Sequence, residues 1–307
     1  MLRQSQRMDA LDPRKTECFV TAVTTGTIRS AAEQLGLEPS TVSRSIAALE
    51  TTIGTPLIER SRSGVKTTEA GTLLIGYLQR QSASLEVLRS EFDALADMKR
   101  GNVMIAVGEG FVSDLFDRAM YDFHHQYPDI TFGLSVGSTE HVIHHVTTEH
   151  AHVGLAYNVP GDPQIRIETA ARQPLVALVL KGGAFDTGTA FDLKTLTALP
   201  CAIMPKSFGI GTMIAATEAE KGVRMRALVE TGSIAALKAY VRNDMGYTIL
   251  PRFVAEAELS SGAFSAYPIA AETFSDGVAS VIRKHGRRLP QAAQLFIRQL
   301  SKMAAFR

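Results

Sequence analysis

Between residues 39 and 53, Ser40, Thr41, Ser43 and Arg44 alternate with an apolar set, Val42, Ile46, Leu49 and Ile53. The apolar set recurs every three or four positions, the period of a helix held by one face. The other face then carries short hydroxyls and a guanidinium. Those groups suit a helix seated in the major groove of DNA. Hydroxyls reach phosphates and base edges, and a guanidinium can grip guanine O6 and N7 together. An ordinary solvated helix in an αα-hairpin is the alternative. Arg60, Arg62 and Lys66 follow on two short expected strands, 57–60 and 65–67, around the turn 61–64. Such a wing would carry its cations to phosphates or the minor groove; a solvated charged hairpin is the competing reading.

Other residues with chemical potential amount to less. Seven of the eight histidines lie between His124 and His152, and His141 with His145 has the i,i+4 spacing that can hold a metal on one helical face. No cysteine and no nearby aspartate completes a shell, so no metal site is expected. The run Gly108-Glu109-Gly110 imitates the start of a dinucleotide fingerprint, but Ser113 stands at the third glycine position. No P-loop, metalloprotease helix or nucleophile elbow is present. The sequence therefore predicts neither an enzyme nor a cofactor.

With 307 residues, 45% of them in the hydrophobic set, the chain can fill two or three compact domains. Its net charge of +1 argues against wholesale nucleic-acid coating but not against a local basic patch on one module. Cys18 and Cys201 lie far apart and fit a reducing compartment. The amino terminus leads into no apolar signal region, and no apolar run approaches the ~20 residues of a membrane span. A soluble, cytoplasmic protein with no membrane partner is expected.

The elements that must position the polar face can be read around it. A helix over 15–24, with Phe19 and Val23 inward, ends at Gly26; a second ends at Gly36; Pro39 opens the third, where a missing N–H costs nothing. Glu38 is a weak cap there. A long helix then starts at the cap Thr68. Along it Leu74, Leu78, Gln81, Leu85, Leu88, Phe92 and Leu95 alternate by four and three, a heptad seam. A homodimer is expected through this seam, with packing on the chain's own core as the alternative.

Taken together, Phe19-Val20, the segment from Gly26 to Ala31-Ala32, Leu35, Ser40-Thr-Val-Ser-Arg44, Leu49-Glu50, Gly54-Thr-Pro-Leu57, Glu59-Arg60 and Thr67-Thr-Glu-Ala-Gly71 resemble the amino-terminal domain of LysR-type transcriptional regulators in order and spacing. The resemblance implies double-stranded operator DNA as a partner, contacted through Pro39, Ser40, Ser43, Arg44 and Arg60. It also implies a small-molecule effector, a dimer assembling into a tetramer, and RNA polymerase as a candidate partner at the promoter. Two positions depart from the family. The recognition helix is entered by Glu38-Pro-Ser40, so no glutamine is there to read a base, and Ser63 stands where a wing arginine usually precedes the glycine.

From Gly101 the pattern becomes an alternation of strands and helices. Strands are expected at 103–107, 130–136 and 153–157 with helices at 112–126 and 139–148. A second set has strands at 175–180, 201–204, 226–230 and 247–250 with helices at 209–221 and 233–242. A strand at 278–283 and a helix at 290–303 would return to the first set. The expected fold class is α/β: a winged helix-turn-helix over 1–67, a linker helix over 68–99, and a two-lobed domain resembling type II periplasmic binding proteins. Lobe I would comprise 101–171 and 275–307, lobe II 172–274, with hinges near Arg172 and Phe274. Open α/β sheets bind ligands beyond the carboxyl ends of their strands. The effector would therefore meet Glu109, Gly110, Phe111, Val112 and Ser113, with Ser138, Thr139, Ser207, Phe208, Gly209, Thr231 and Ser233. Tyr247 would add an apolar wall. Glu109 would repel a carboxylate and favours a hydroxyl or amine. A solute-binding receptor or an enzyme on the same lobes are the rival functions.

Overall fold

The computed structural model describes residues 11–61, 64–95 and 100–307, without the side chains of Arg60, Ser61 and Ala94. It divides into two compact units, Met1–Ser82 and Ala83–Arg307.

In the first unit three helices share a small core: α1 (Pro13–Thr25), α2 (Ile28–Leu35) and α3 (Pro39–Ile53). Their starts follow from local chemistry. Asp12 accepts from the Arg14 N–H and Thr27 from the Ser30 N–H, while Glu38 gives α3 no side-chain cap and leaves Pro39 to set its first turn. The core is Phe19, Ala22, Ala31, Ala32, Val42, Ile46 and Leu49, none more than 1% exposed. β1 (Ile58–Ser61) and β2 (Gly64–Thr67) form the antiparallel wing. Two bonds fix it. Glu50, in the last turns of α3, accepts from the Leu57 and Ile58 N–H groups at 2.8 and 3.2 Å, and the Val65 N–H donates to the Gly26 carbonyl at 2.8 Å. α4 (Glu69–Leu95) starts under Thr68, whose hydroxyl accepts from the Gly71 N–H. A Cβ on Gly71 would stand 2.1 Å from the Leu57 carbonyl oxygen, so only glycine lets α4 begin this close to the wing. Leu74 packs against the three-helix core.

The second unit holds two five-stranded sheets. In lobe I the order is β4 (Ile130–Gly137), β3 (Gly101–Gly108), β5 (Val153–Tyr157), β12 (Val278–Lys284), β6 (Ile165–Arg172). The first three are parallel, and β12 runs antiparallel to both neighbours. In lobe II the order is β11 (Phe264–Pro268), β7 (Leu175–Leu180), β10 (Tyr247–Pro251), β8 (Pro200–Ile203), β9 (Arg226–Glu230). The covering helices used below are α5 (Thr139–Thr147), α6 (Gly209–Lys221), α7 (Ile234–Arg242) and α8 (Gln291–Leu300). The helix expected over 112–126 is broken: α-helical turns at Val112–Asp114 and Tyr121–Gln126 flank a π-helical stretch, Leu115–Met120. Buried Asp114, just before it, accepts from the Ala304 and Ala305 N–H groups at 2.9 Å each and ties the carboxy-terminal turn to lobe I. Where the chain passes between the sheets the two strands are strapped together. Arg172 pairs with Asp276, and the Gln173 N–H donates to the Gly277 carbonyl at 2.8 Å.

Candidate functional site

On α3 the buried stripe of Val42, Ile46 and Leu49 fixes the rotation of the helix and leaves Pro39, Ser40, Arg44 and Ala47 exposed, with Thr41 and Ser43 half-buried at the margin. The Arg44 Nε donates to the Ser40 carbonyl at 3.3 Å, which lays the guanidinium along the exposed face. Lys66 is exposed on β2. Arg62 lies outside the described residues, as does the side chain of Arg60. The local arrangement is a helix with a polar face and an exposed guanidinium, backed by a wing held through Glu50.

In the second unit a cleft is lined from both lobes. Lobe I gives Glu109, Gly110, Phe111, Thr139 and Tyr157; lobe II gives Phe208, Gly209, Ile234, Phe253 and Val254, among others. One hydrogen-bonded bridge crosses it: the Gly209 N–H donates to the Thr139 hydroxyl at 2.9 Å, and that hydroxyl donates to the Tyr157 carbonyl at 3.3 Å. The approach is close enough that a Cβ on Gly209 would fall 1.9 Å from the Tyr157 oxygen. A second bridge is longer, the Ser233 hydroxyl donating to Glu109 at 3.4 Å. Phe111 and Phe253 rings stand 5.1 Å apart. The cavity left is about 30 Å³, room for little more than water, so the cleft is closed to a metabolite-sized ligand.

Of the residues expected at the effector, Glu109, Gly110, Phe111, Thr139, Phe208 and Gly209 line this cleft. Ser233 reaches it through Glu109 and otherwise caps α7; Ser138 caps α5; Thr231 accepts from the Ser233 N–H. Val112 is half-buried against the core, Ser113 is exposed and Ser207 is half-buried, all outside the lining. Tyr247 is not a wall of the cleft. It is fully buried inside lobe II, its hydroxyl donating to the Leu196 carbonyl at 2.9 Å, and burial raises its pKa. The sequence reading missed Tyr157, Met204, Ile210, Ile234 and the turn 251–254. Pro251-Arg-Phe-Val254 was findable, because it leaves the carboxyl end of β10, where such sheets place ligands.

The histidines give no closed shell. The Ser135 hydroxyl lies 2.7 Å from His141 Nε2 and 3.4 Å from His145 Nε2, and among the described residues no group of three or more metal-ligating side chains is assembled.

Residues 13–72 match the profile described as "Bacterial regulatory helix-turn-helix protein, lysR family", and residues 96–305 match "LysR substrate binding domain". The chain belongs to the LysR family. It is accordingly a DNA-binding transcriptional regulator with an effector-binding domain, not an enzyme. The HTH-type transcriptional activator CmpR of Synechocystis sp. is 27% identical over 76% of this chain and 77% of its own. Two solved structures share the fold at low identity. Full-length CbnR complexed with its target DNA has 18% identity and a TM-score of 0.62 over 94% of this chain and 98% of its own. A full-length OxyR variant from Pseudomonas aeruginosa has 15% identity and a TM-score of 0.70 over 96% of each chain. Among the described residues no helix is long and apolar enough to cross a membrane.

Proposed function

We propose that this LysR-family regulator reads an operator through the exposed face of α3, with Ser40, Thr41, Ser43 and Arg44 at the major groove and Arg60, Arg62 and Lys66 on the flanking phosphates. The observation that carries this reading is the sidedness of α3. Its apolar stripe is sealed in the core at 0–1% exposure, while Arg44 and Ser40 stand on the open side of the same helix. The division of labour follows the sequence: 1–67 binds DNA, 68–99 joins and dimerises, and the lobes 101–171 with 275–307 and 172–274 take the effector. Tetramer formation and contact with RNA polymerase at the promoter belong to the same reading.

The effector enters by opening the cleft, since ligand pockets of this kind run to about 300–1,000 Å³ and the closed cleft holds far less. Its walls are the rings of Phe111, Phe208 and Phe253 and the Val254 side chain, and its one carboxylate is Glu109. This favours a compact, largely apolar compound carrying a hydroxyl or amine. A thermal-shift screen of such compounds identifies it, because a ligand bound only by the folded state raises the melting temperature. Footprinting with Arg44→Ala tests the DNA half. We expect operator protection to need roughly ten- to a hundredfold more protein, a loss of about 1–3 kcal/mol for one guanidinium contact. Unchanged protection would refute the assignment of α3.

A further inference from the structure

A second cavity, of about 470 Å³, opens within Ala83–Arg307 where residues 87–91 of α4 pass the segment 283–298 of lobe I. Its charged lining is Arg283, Arg287, Arg288 and Arg298 against Glu91 and Glu168. Glu168 is already spent: Arg283 Nε lies 2.5 Å and Arg166 Nε 3.0 Å from it. Arg287 is 4% exposed. Its Nη1 donates to the Ala151 carbonyl at 2.7 Å, but among the described residues its buried Nε has no hydrogen-bond acceptor, Glu149 Oε2 being an ion-pair partner at 3.7 Å. Burial outweighs the neighbouring Glu149 and Glu86 charges and pushes the guanidinium pKa down, so a further anion beside it would be favourable. Arg288 and Arg298 are exposed, and among the described residues neither meets a carboxylate at ion-pair distance. The ten-residue helix α8 begins on the same wall. Pro290 offers it no side-chain cap, and the Gln291 N–H donates to Ser90 at 2.9 Å. The positive end of a helix dipole therefore adds to the arginines.

We propose that this cavity binds a small polyanion, a phosphate ester or polycarboxylate of metabolite size, at a site separate from the interlobe cleft. The volume is that of a metabolite pocket. A cluster of guanidinium groups beside the positive end of a helix is a pairing that anionic oxygens take well. Such a ligand touches α4 and lobe I together, so it would regulate how the second half of the linker helix is held.

Calorimetric titration of the full-length protein with pyrophosphate and with citrate, at matched ionic strength, tests this. Saturable one-site binding of either anion is expected; tighter pyrophosphate assigns a phosphoryl ligand, tighter citrate a carboxylate one. The double reversal Arg288→Glu/Arg298→Glu, on two exposed residues, should weaken it at least tenfold, and Arg44→Ala should leave it unchanged. If the double variant does not fold, Gln294→Glu places one negative charge on the same wall and should weaken binding at least threefold. The proposal is overturned by the absence of saturable binding, by equal affinity in the folded cavity variants, or by loss in Arg44→Ala, which would move the anion to the DNA-binding face. It is overturned too if no anion binds while the reversal lowers operator affinity, since the arginines would then be DNA phosphate contacts.

Discussion

Thr139 and Gly209 are single residues on which the closed cleft turns. The Thr139 hydroxyl both accepts from Gly209 and donates to Tyr157, so it joins the lobes with no side chain from the other side. Gly209→Ala would force its new Cβ against the Tyr157 carbonyl. We expect this variant to keep basal operator binding in a gel-shift assay and to lose most of the effector-induced change. Full retention of that response would mean closure is not what the effector controls. Thr139→Val leaves the buried Gly209 N–H without its acceptor, at a cost of about 1–3 kcal/mol, and should shift the cleft toward open. Legibility at this scale was uneven. Thr139, Phe208 and Gly209 were findable because they begin helices after strand ends. Tyr247 misled because an aromatic at a strand start serves a lobe core as readily as a cleft, and only its partner, the Leu196 carbonyl, tells them apart.

At the scale of elements, α4 changes role along its length. Leu74 belongs to the three-helix core, whereas Leu85, Leu88, Phe92 and Leu95 are 51%, 43%, 60% and 86% exposed at heptad spacing. A stripe of this kind is costly in water, and the proposed homodimer would cover it with the same helix of a second copy. Leu88→Glu with Phe92→Glu should turn the dimer into monomer in sedimentation velocity at micromolar concentration while the circular dichroism spectrum is kept; a dimer of unchanged stability would place the seam elsewhere. The heptad was visible in the sequence because the period is long and unbroken. β6 and β11 were not. Ile165–Arg172 carries Arg166, Glu168 and Arg172 on an edge strand, so its alternation is mostly polar, and Phe264–Pro268 is a five-residue edge ending in proline. The π-helical stretch over Leu115–Met120 left no mark either, since its residues also fit an ordinary helix.

At the scale of the molecule, the effector domain holds the second half of the linker helix through a buried histidine. His152, 2% exposed, accepts the Met104 N–H on Nδ1 at 3.0 Å, so its proton sits on Nε2 and is donated to Glu86 of α4 at 3.0 Å. Burial works to raise the Glu86 pKa, but the hydrogen bond from His152 and the nearby Arg287 charge outweigh it and hold the carboxyl low. Glu86→Ala should leave effector affinity unchanged by calorimetry yet reduce the effector's influence on operator binding. Equal influence would show that the signal leaves lobe I by another contact. The histidines outside this bond predict how lobe I answers to acid. Burial, followed by the charges of His145 and His144, lowers the pKa of both His141 and His150 from the ordinary 6.5. A histidine held low binds fewer protons folded than unfolded, so stability rises with pH through that interval and is lost as pH falls below about 6.5 toward the folded values. The melting temperature of the wild type should therefore drop between pH 7.5 and 5.5 by more than that of His141→Gln/His150→Gln. Parallel curves for the two proteins would mean that these imidazoles titrate alike in the folded and unfolded chain.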